Sequence, residues 1–214
     1  PGGDDYFYEG DMGKWEKLAY TLKARYYMHL TKAPGYNAAT QADLALAALE
    51  KGMTDHDDDL KFPYAGIAGQ ENVWYTTFLP GSTLILASGF VDSLKVRNDP
   101  RLTKMVKPAT VTRLYTGRQI GTVDVGNLES YSRPTDFYQG AAGNNYIVAY
   151  LEALFLKAEA TLIRSGATAA QPIYQEAIRA HMQKLGVATT AIDTYLAARG
   201  TLTAGNALQG IMEE

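Results

Sequence analysis

Residues 147–164, "IVAYLEALFLKAEATLIR", recur with a helical period, yet their apolar positions do not stop at one face. On a helical wheel Ile147, Leu151, Leu154, Phe155, Ala158 and Leu162 form one stripe. Ala149, Leu156, Ala160 and Ile163 form a second, on the side that carries Glu152 and Glu159. A helix that is apolar on two sides is packed on two sides. The segment therefore predicts an assembly of stacked helices. Its two glutamates lie seven residues apart, roughly 10 Å along the axis. That is wider than the ~5 Å of a retaining glycosidase pair and marginal for an inverting one. A structural role is expected for both, with Arg25 as the partner of Glu159.

Helical pairs occur at both ends of the chain. Trp15, Leu18, Ala19, Leu22 and Tyr26 recur at helical spacing after Asp11, a candidate N-cap, and "APGYN" (33–37) breaks the pattern. "TQADLALAALEKG" follows, with Thr40 as the expected cap, Asp43 as a capping-box acid and Gly52 as the stop. Near the other end, the two-sided helix stops at Gly166. A further helix over about 170–185 ends in "LGV", and Pro172 fits only in its first turn. Short amphipathic helices are expected near 190–198 and 204–212. The small-and-large alternation of the later pair is that of a tetratricopeptide-like unit, and residues 14–51 read as a weaker one.

Residues 53–146 differ in kind, being rich in Gly, Pro, Asn and Tyr, with a helical pattern only over about 83–97. They read as an irregular lobe with one helix and short strands, for instance around 110–115. The fold class is thus mainly α. Tetratricopeptide-like helix pairs (11–52, and 147–214 with the C-terminal helices) flank a Gly/Tyr-rich lobe in a single domain.

Composition excludes several chemistries. The chain has no cysteine, so thiolate metal sites, disulfides and cysteine nucleophiles are out. Net charge is −3, which speaks against nucleic acid as a partner. The basic run from Lys95 through Arg97, Arg101, Lys104, Lys107 and Arg113 to Arg118 is expected to be a solvated face. "DHDDDLKF" (55–62) begins like a calcium loop, but Leu60 stands where Gly is needed and Gly66 where Glu is needed. It reads as a solvated acidic loop. His29, His56 and His181 share no metal-ligand spacing, and no phosphate-binding or hydrolase motif occurs. No catalytic, cofactor or metal residue is assigned.

The lobe's aromatics point to binding. Tyrosine outnumbers phenylalanine 15 to 6, as suits half-wet surfaces. Sugars present C–H faces that pack flat on aromatic rings, and neighbouring polar groups can bond their hydroxyls. "ENVWY" and "RPTDFYQGAAGNN" place such groups side by side in Gly-rich loops. Trp74, Tyr75, Asn72 and Tyr138 are the candidate ligand contacts. The alternative places such rings in the lobe's core.

Four phrases resemble the SusD/RagB-like family: "GDMGKWEKLAYTLKARYYMHLTK" (10–32), "RNDPRL" (97–102), "AYLEALFLKAEATLI" (149–163) and "YQEAIRAHMQKLGV" (174–187). They stand in the family's order, with Leu151 as a departure before Glu152. The resemblance implies an outer-membrane, surface-exposed lipoprotein that is not an enzyme. It would bind an oligosaccharide or polysaccharide and pair with a SusC-like TonB-dependent transporter. The family's lipidated cysteine has no counterpart here, so the chain reads as a central portion of such a protein. Two other readings are a tetratricopeptide-like protein scaffold without glycan binding and a glycan-processing enzyme of helical architecture, the latter disfavoured by the missing acid/base constellation.

Overall fold

The computed structural model describes residues 2–79, 84–122 and 126–214. In chain order the first elements are α1 (Met12–His29), α2 (Ala38–Leu49), β1 (Leu60–Phe62), α3 (Val73–Thr77), α4 (Ser88–Val96) and α5 (Leu102–Met105). Then come β2 (Val106–Lys107), β3 (Arg133–Pro134), α6 (Asp136–Gln139), β4 (Asn145–Val148), α7 (Tyr150–Lys184), α8 (Thr189–Arg199) and α9 (Ala207–Met212). They group into two units. Unit one holds Pro1–Phe62, Tyr146–Lys184 and Leu196–Glu214; unit two holds Pro63–Asn145 and Leu185–Tyr195. The stretch 185–195 thus groups with the lobe and not with the C-terminal helices.

In unit one, the Asp11 carboxylate accepts from the amides of Gly13 and Lys14 and starts α1 as expected. The cap of α2 is Asn37, not Thr40. Asn37 has extended dihedrals, and its side chain accepts from the Thr40 amide, which already lies inside the first turn. Asp43 makes no capping box and pairs with Arg164 instead. Gly52 is not a left-handed stop either; its φ is not positive. A Cβ there would lie 2.8 Å from Thr21 Oγ1, so glycine is required by close approach.

The two-sided helix is packed on two sides. Leu156, Ala160 and Ile163 of α7 meet Ala24, Met28, Ala42, Ala45 and Ala48 of α1 and α2, where alanines let the backbones approach closely. Ala153, on that same face, meets Leu18, Met53, Leu60 and Val148, while Leu154 and Ala158 are buried on the opposite face. Ile147, read as part of the helix, lies in β4 and is exposed. The helix breaks at Gly166, whose φ of 81° and ψ of 178° only glycine adopts without strain. The second arm runs on to Lys184, and Gly186, at φ 69°, follows it.

The loop at 55–62 is not solvated as expected. Asp58 and Asp59 are each only 2% exposed. Asp58 accepts from Lys17 Nζ at 2.8 Å, from the Thr54 amide at 2.8 Å and from the Thr54 hydroxyl at 3.0 Å. Burial alone would raise its pKa; Lys17 and Thr54 outweigh that and hold it below the usual carboxylate range. Asp59 accepts from the Tyr150 amide, at the start of α7, at 2.7 Å, and from Lys184 Nζ, at its end, at 2.5 Å. One carboxylate therefore ties both ends of the broken helix. Lys184 also lies 3.6 Å from the centroid of the Tyr146 ring.

The glutamates of α7 divide otherwise than expected. Arg25 pairs with Glu152, not Glu159, through both carboxylate oxygens. Among the described residues Glu159 forms no ion pair. Burial raises its pKa, and Lys32 and His29 only partly offset this.

Unit two is held by short elements. β2 and β3 pair antiparallel, with Val106 opposite Pro134 and Lys107 opposite Arg133. Val91, Leu94 and Val106 form the core, with Leu86, Leu102, Met105 and Tyr115 against it. No strand forms at 110–115; the Ala109 amide donates to Leu114 O and that of Arg113 to Ala109 O, closing a tight turn. Nor is the basic run one solvated face. Arg101 is buried, its guanidinium 2.6 Å from Asp99 and 5.6 Å from the centroid of the Tyr195 ring.

Two outcomes follow for stability. Asp59→Ala leaves Lys184 buried without its anion and the α7 amide without its acceptor, so denaturant unfolding should show a loss of about 3–5 kcal/mol. Glu159→Gln should raise stability at pH 7. An acid with a raised native pKa stabilises the fold while protonated, and this is lost as pH rises from 4.5 through the native pKa. Stability measured against pH should therefore fall over that range in the wild type and flatten in the variant.

Candidate functional site

The sequence-predicted residues come together in unit two around α3. Asn72 caps this helix, its Oδ1 accepting from the Trp74 amide at 2.9 Å. Its Nδ2 donates to Tyr138 O at 2.8 Å and to Gly143 O at 2.9 Å, and its own amide donates to Ala141 O. Asn72 is 1% exposed and its carboxamide is satisfied on both sides. It clamps the 138–143 loop to α3 and presents nothing to a ligand itself. The expectation that it would bond a ligand directly gives way to a positioning role.

The glycines of "QGAAGNN" serve that clamp. A Cβ on Gly140 would lie 2.5 Å from Asp136 O, and one on Gly143 3.2 Å from Asn72 Nδ2. A side chain at Gly140 would collide with the backbone of α6, and one at Gly143 would press on Gly140 O and on the Asn72 carboxamide that holds the loop. Sequence reasoning read the glycines as loop composition; their reason is contact.

The clamp builds an aromatic group. The Trp74 ring lies 5.6 Å from Phe78, one turn along α3, and 6.4 Å from Tyr138, with interplanar angles of 45° and 34°. Phe137 packs edge-on against Tyr138 at 4.8 Å. Trp74 is nonetheless 43% exposed and Tyr75 39% exposed, while Phe78 and Tyr138 are half-buried. Trp74 is thus braced on one side and open on the other. Among the described residues its indole N–H has no acceptor.

Arg133, which sequence reasoning did not single out, supports the same region. It donates to Phe78 O and to Leu84 O and pairs with Glu129 at 3.0 Å. Of the other lobe aromatics, Tyr115 packs on the unit-two core and Tyr146 belongs to unit one under Lys184. Among the described residues no group of three or more His, Cys, Asp or Glu side chains could hold a metal ion.

Comparison with known proteins places this architecture. Residues 2–214 match the SusD-like family, described as "Starch-binding associating with outer membrane". The chain belongs to the SusD-like family. It is similar to the solved structure of a chitin-binding protein, with 26% identity and a TM-score of 0.79 over 97% of this chain and 49% of that one. A SusD homologue from Bacteroides thetaiotaomicron is 22% identical, with a TM-score of 0.76 over 90% of this chain and 40% of its own. One from Bacteroides fragilis is 21% identical, with a TM-score of 0.75 over 99% and 52%. These two likenesses show the fold. The SusD-like chain spans about half the length, or less, of the structures it matches. No curated protein is similar to it in sequence.

Asn72→Ala should cost about 1–3 kcal/mol, because it removes the α3 cap and leaves two half-buried carbonyls without donors. Thermal or denaturant melts check the loss. Asn72→Asp should not rescue it, since a carboxylate restores the cap but neither donor.

Proposed function

We propose that this chain is the glycan-capturing portion of a surface lipoprotein at the outer membrane, and that Trp74 is its stacking platform. The carrying observation is the Trp74 indole, rigidly braced by Phe78 and Tyr138 yet open on one side. A large apolar residue left exposed in this way, with a donor still available, suits the C–H face and hydroxyls of a pyranose ring. Tyr75 adds a second exposed ring on the same short helix, and Tyr138 backs the first. The clamp around Asn72 holds the rings before any ligand arrives, which lowers the ordering cost of binding.

Family membership supports the same reading, since starch binding is part of the family's description. So does the likeness to a chitin-binding protein, whose name implies another polymer of pyranose units. The role is capture and not catalysis. In this reading the protein works beside a SusC-like TonB-dependent transporter, to which it would hand an oligosaccharide or polysaccharide. A tetratricopeptide-like scaffold is the second reading, favoured by the close α1, α2 and α7 packing of unit one.

Calorimetry with a panel of starch and chitin oligosaccharides tests the proposal. Trp74→Ala should weaken glycan binding at least ~10-fold, equivalent to about 1.4 kcal/mol. Its melting temperature should stay near that of the wild type, since the ring is already partly in water. A loss of about 3–5 kcal/mol of stability would instead mark Trp74 as a core anchor. Absence of binding by the wild type to every glycan in the panel would overturn the reading.

A further inference from the structure

An orphaned imidazole nitrogen points to chemistry at the Asp59–Lys184 pair of unit one. Lys184 Nζ lies 2.5 Å from Asp59 Oδ2, and the two side chains are only 11% and 1% exposed. The Tyr146 ring covers the ammonium, its centroid 3.6 Å from Nζ. The other carboxylate oxygen, Oδ1, accepts from the Tyr150 amide at 2.7 Å. His56 closes the group, its ring edge-on to that of Tyr150 with 5.6 Å between centroids. Its Nε2 stands 3.2 Å from Ala180 O, and since a carbonyl only accepts, that nitrogen carries a proton. Its Nδ1 is therefore the basic nitrogen. It is buried, has no hydrogen-bond partner among the described residues, and lies 3.9 Å from Asp59 Oδ2.

These groups stand where amide formation needs them. An amine attacks a carboxylic acid only in its neutral form, and burial lowers the Lys184 pKa against the opposing pull of Asp59. Proton transfer within the 2.5 Å contact turns ammonium and carboxylate into amine and acid. Nζ then bonds to Asp59 Cγ. Negative charge gathers on Oδ1, where the Tyr150 N–H already donates. The proton shed by the nitrogen passes to His56 Nδ1 and from it to Oδ2; the Cγ–Oδ2 bond breaks and one water leaves. The 3.9 Å approach is longer than a working hydrogen bond, as is common for acid–base groups before they engage. In open water such an amide tends to hydrolyse, but a pair held in contact and shielded from water favours its formation. We propose that Lys184 and Asp59 join through an isopeptide bond, the chain itself supplying nucleophile, electrophile and proton carrier. The bond would tie residues 125 apart and fasten the second arm of α7 covalently to the 55–59 loop. It lies in unit one and does not depend on the glycan reading of Trp74.

Intact-mass spectrometry of the purified, denatured protein tests this without any variant. The wild type should be lighter than its sequence by the mass of one water molecule, and Asp59→Ala should match its sequence mass. In a tryptic digest, cleavage after Lys184 should fail, and residues 52–61 should appear in a branched peptide joined to residues 180–199. Fragmentation should place the link between Asp59 and Lys184, which separates it from a succinimide formed within a single peptide. His56→Phe keeps a ring against Tyr150 but carries no proton. After pulse expression it should acquire the mass shift about 100-fold more slowly than the wild type, while circular dichroism still shows a folded helical protein. A wild-type mass equal to that of the linear chain, free cleavage after Lys184, or a water loss confined to one peptide would each overturn the proposal. Equal rates in the wild type and His56→Phe would overturn the part given to His56.

Discussion

Unit one depends on the burial of two adjacent carboxylates. Asp58 and Asp59 come from one short loop and point to different partners: Asp58 to Lys17 of α1 and Asp59 to the two ends of α7. A buried ion pair costs desolvation on both sides, so its net stabilisation is modest, but removing either partner leaves a stranded charge. The pairs therefore specify which elements meet more than they add to stability. The break at Gly166 complements them, because the arms on either side of it must run back to one carboxylate. Tyr8 adds a further tie through its hydroxyl to Asp58 O.

Unit two solves a different problem with the same physics. Its strands are two residues long and its helices short, so regular hydrogen bonding cannot hold it. Buried polar side chains take over, with Arg101 on Asp99, Arg133 on two backbone carbonyls and Asn72 on the 138–143 loop. Each is satisfied by groups that also need partners, and burial is tolerated on that condition. A lobe braced in this way can expose Trp74 without loosening. The proposed stacking role would draw on that bracing, since rings that already face the right way need no ordering when a sugar arrives.

The two units differ in what they expose. Unit two leaves the Trp74 and Tyr75 rings partly open, as the proposed stacking of a sugar requires. Unit one turns the small residues of α1, α2 and α7 inward against one another.

Local sequence patterns determined the helical pairs, the break at Gly166, the Asp11 cap and the two-sided packing of residues 150–163. Periodicity and glycine chemistry act within a few residues, so they are legible in the chain itself. The phrases shared with the family pointed to the SusD-like fold, and aromatic clustering singled out Trp74 and Tyr138. Only the tertiary structure decided the charges. "DHDDDLKF" reads as solvent-facing because its lysine partners lie more than forty residues before it, at Lys17, and more than a hundred after it, at Lys184. The same holds for Arg25, which met Glu152 and left Glu159 unpaired, since two glutamates two turns apart are alike to any local rule. Asn72 likewise read as a ligand contact until its carboxamide was found between two backbone carbonyls some seventy residues away. Burial of a polar group depends on which distant segment covers it, and that is a property of packing that no local pattern encodes.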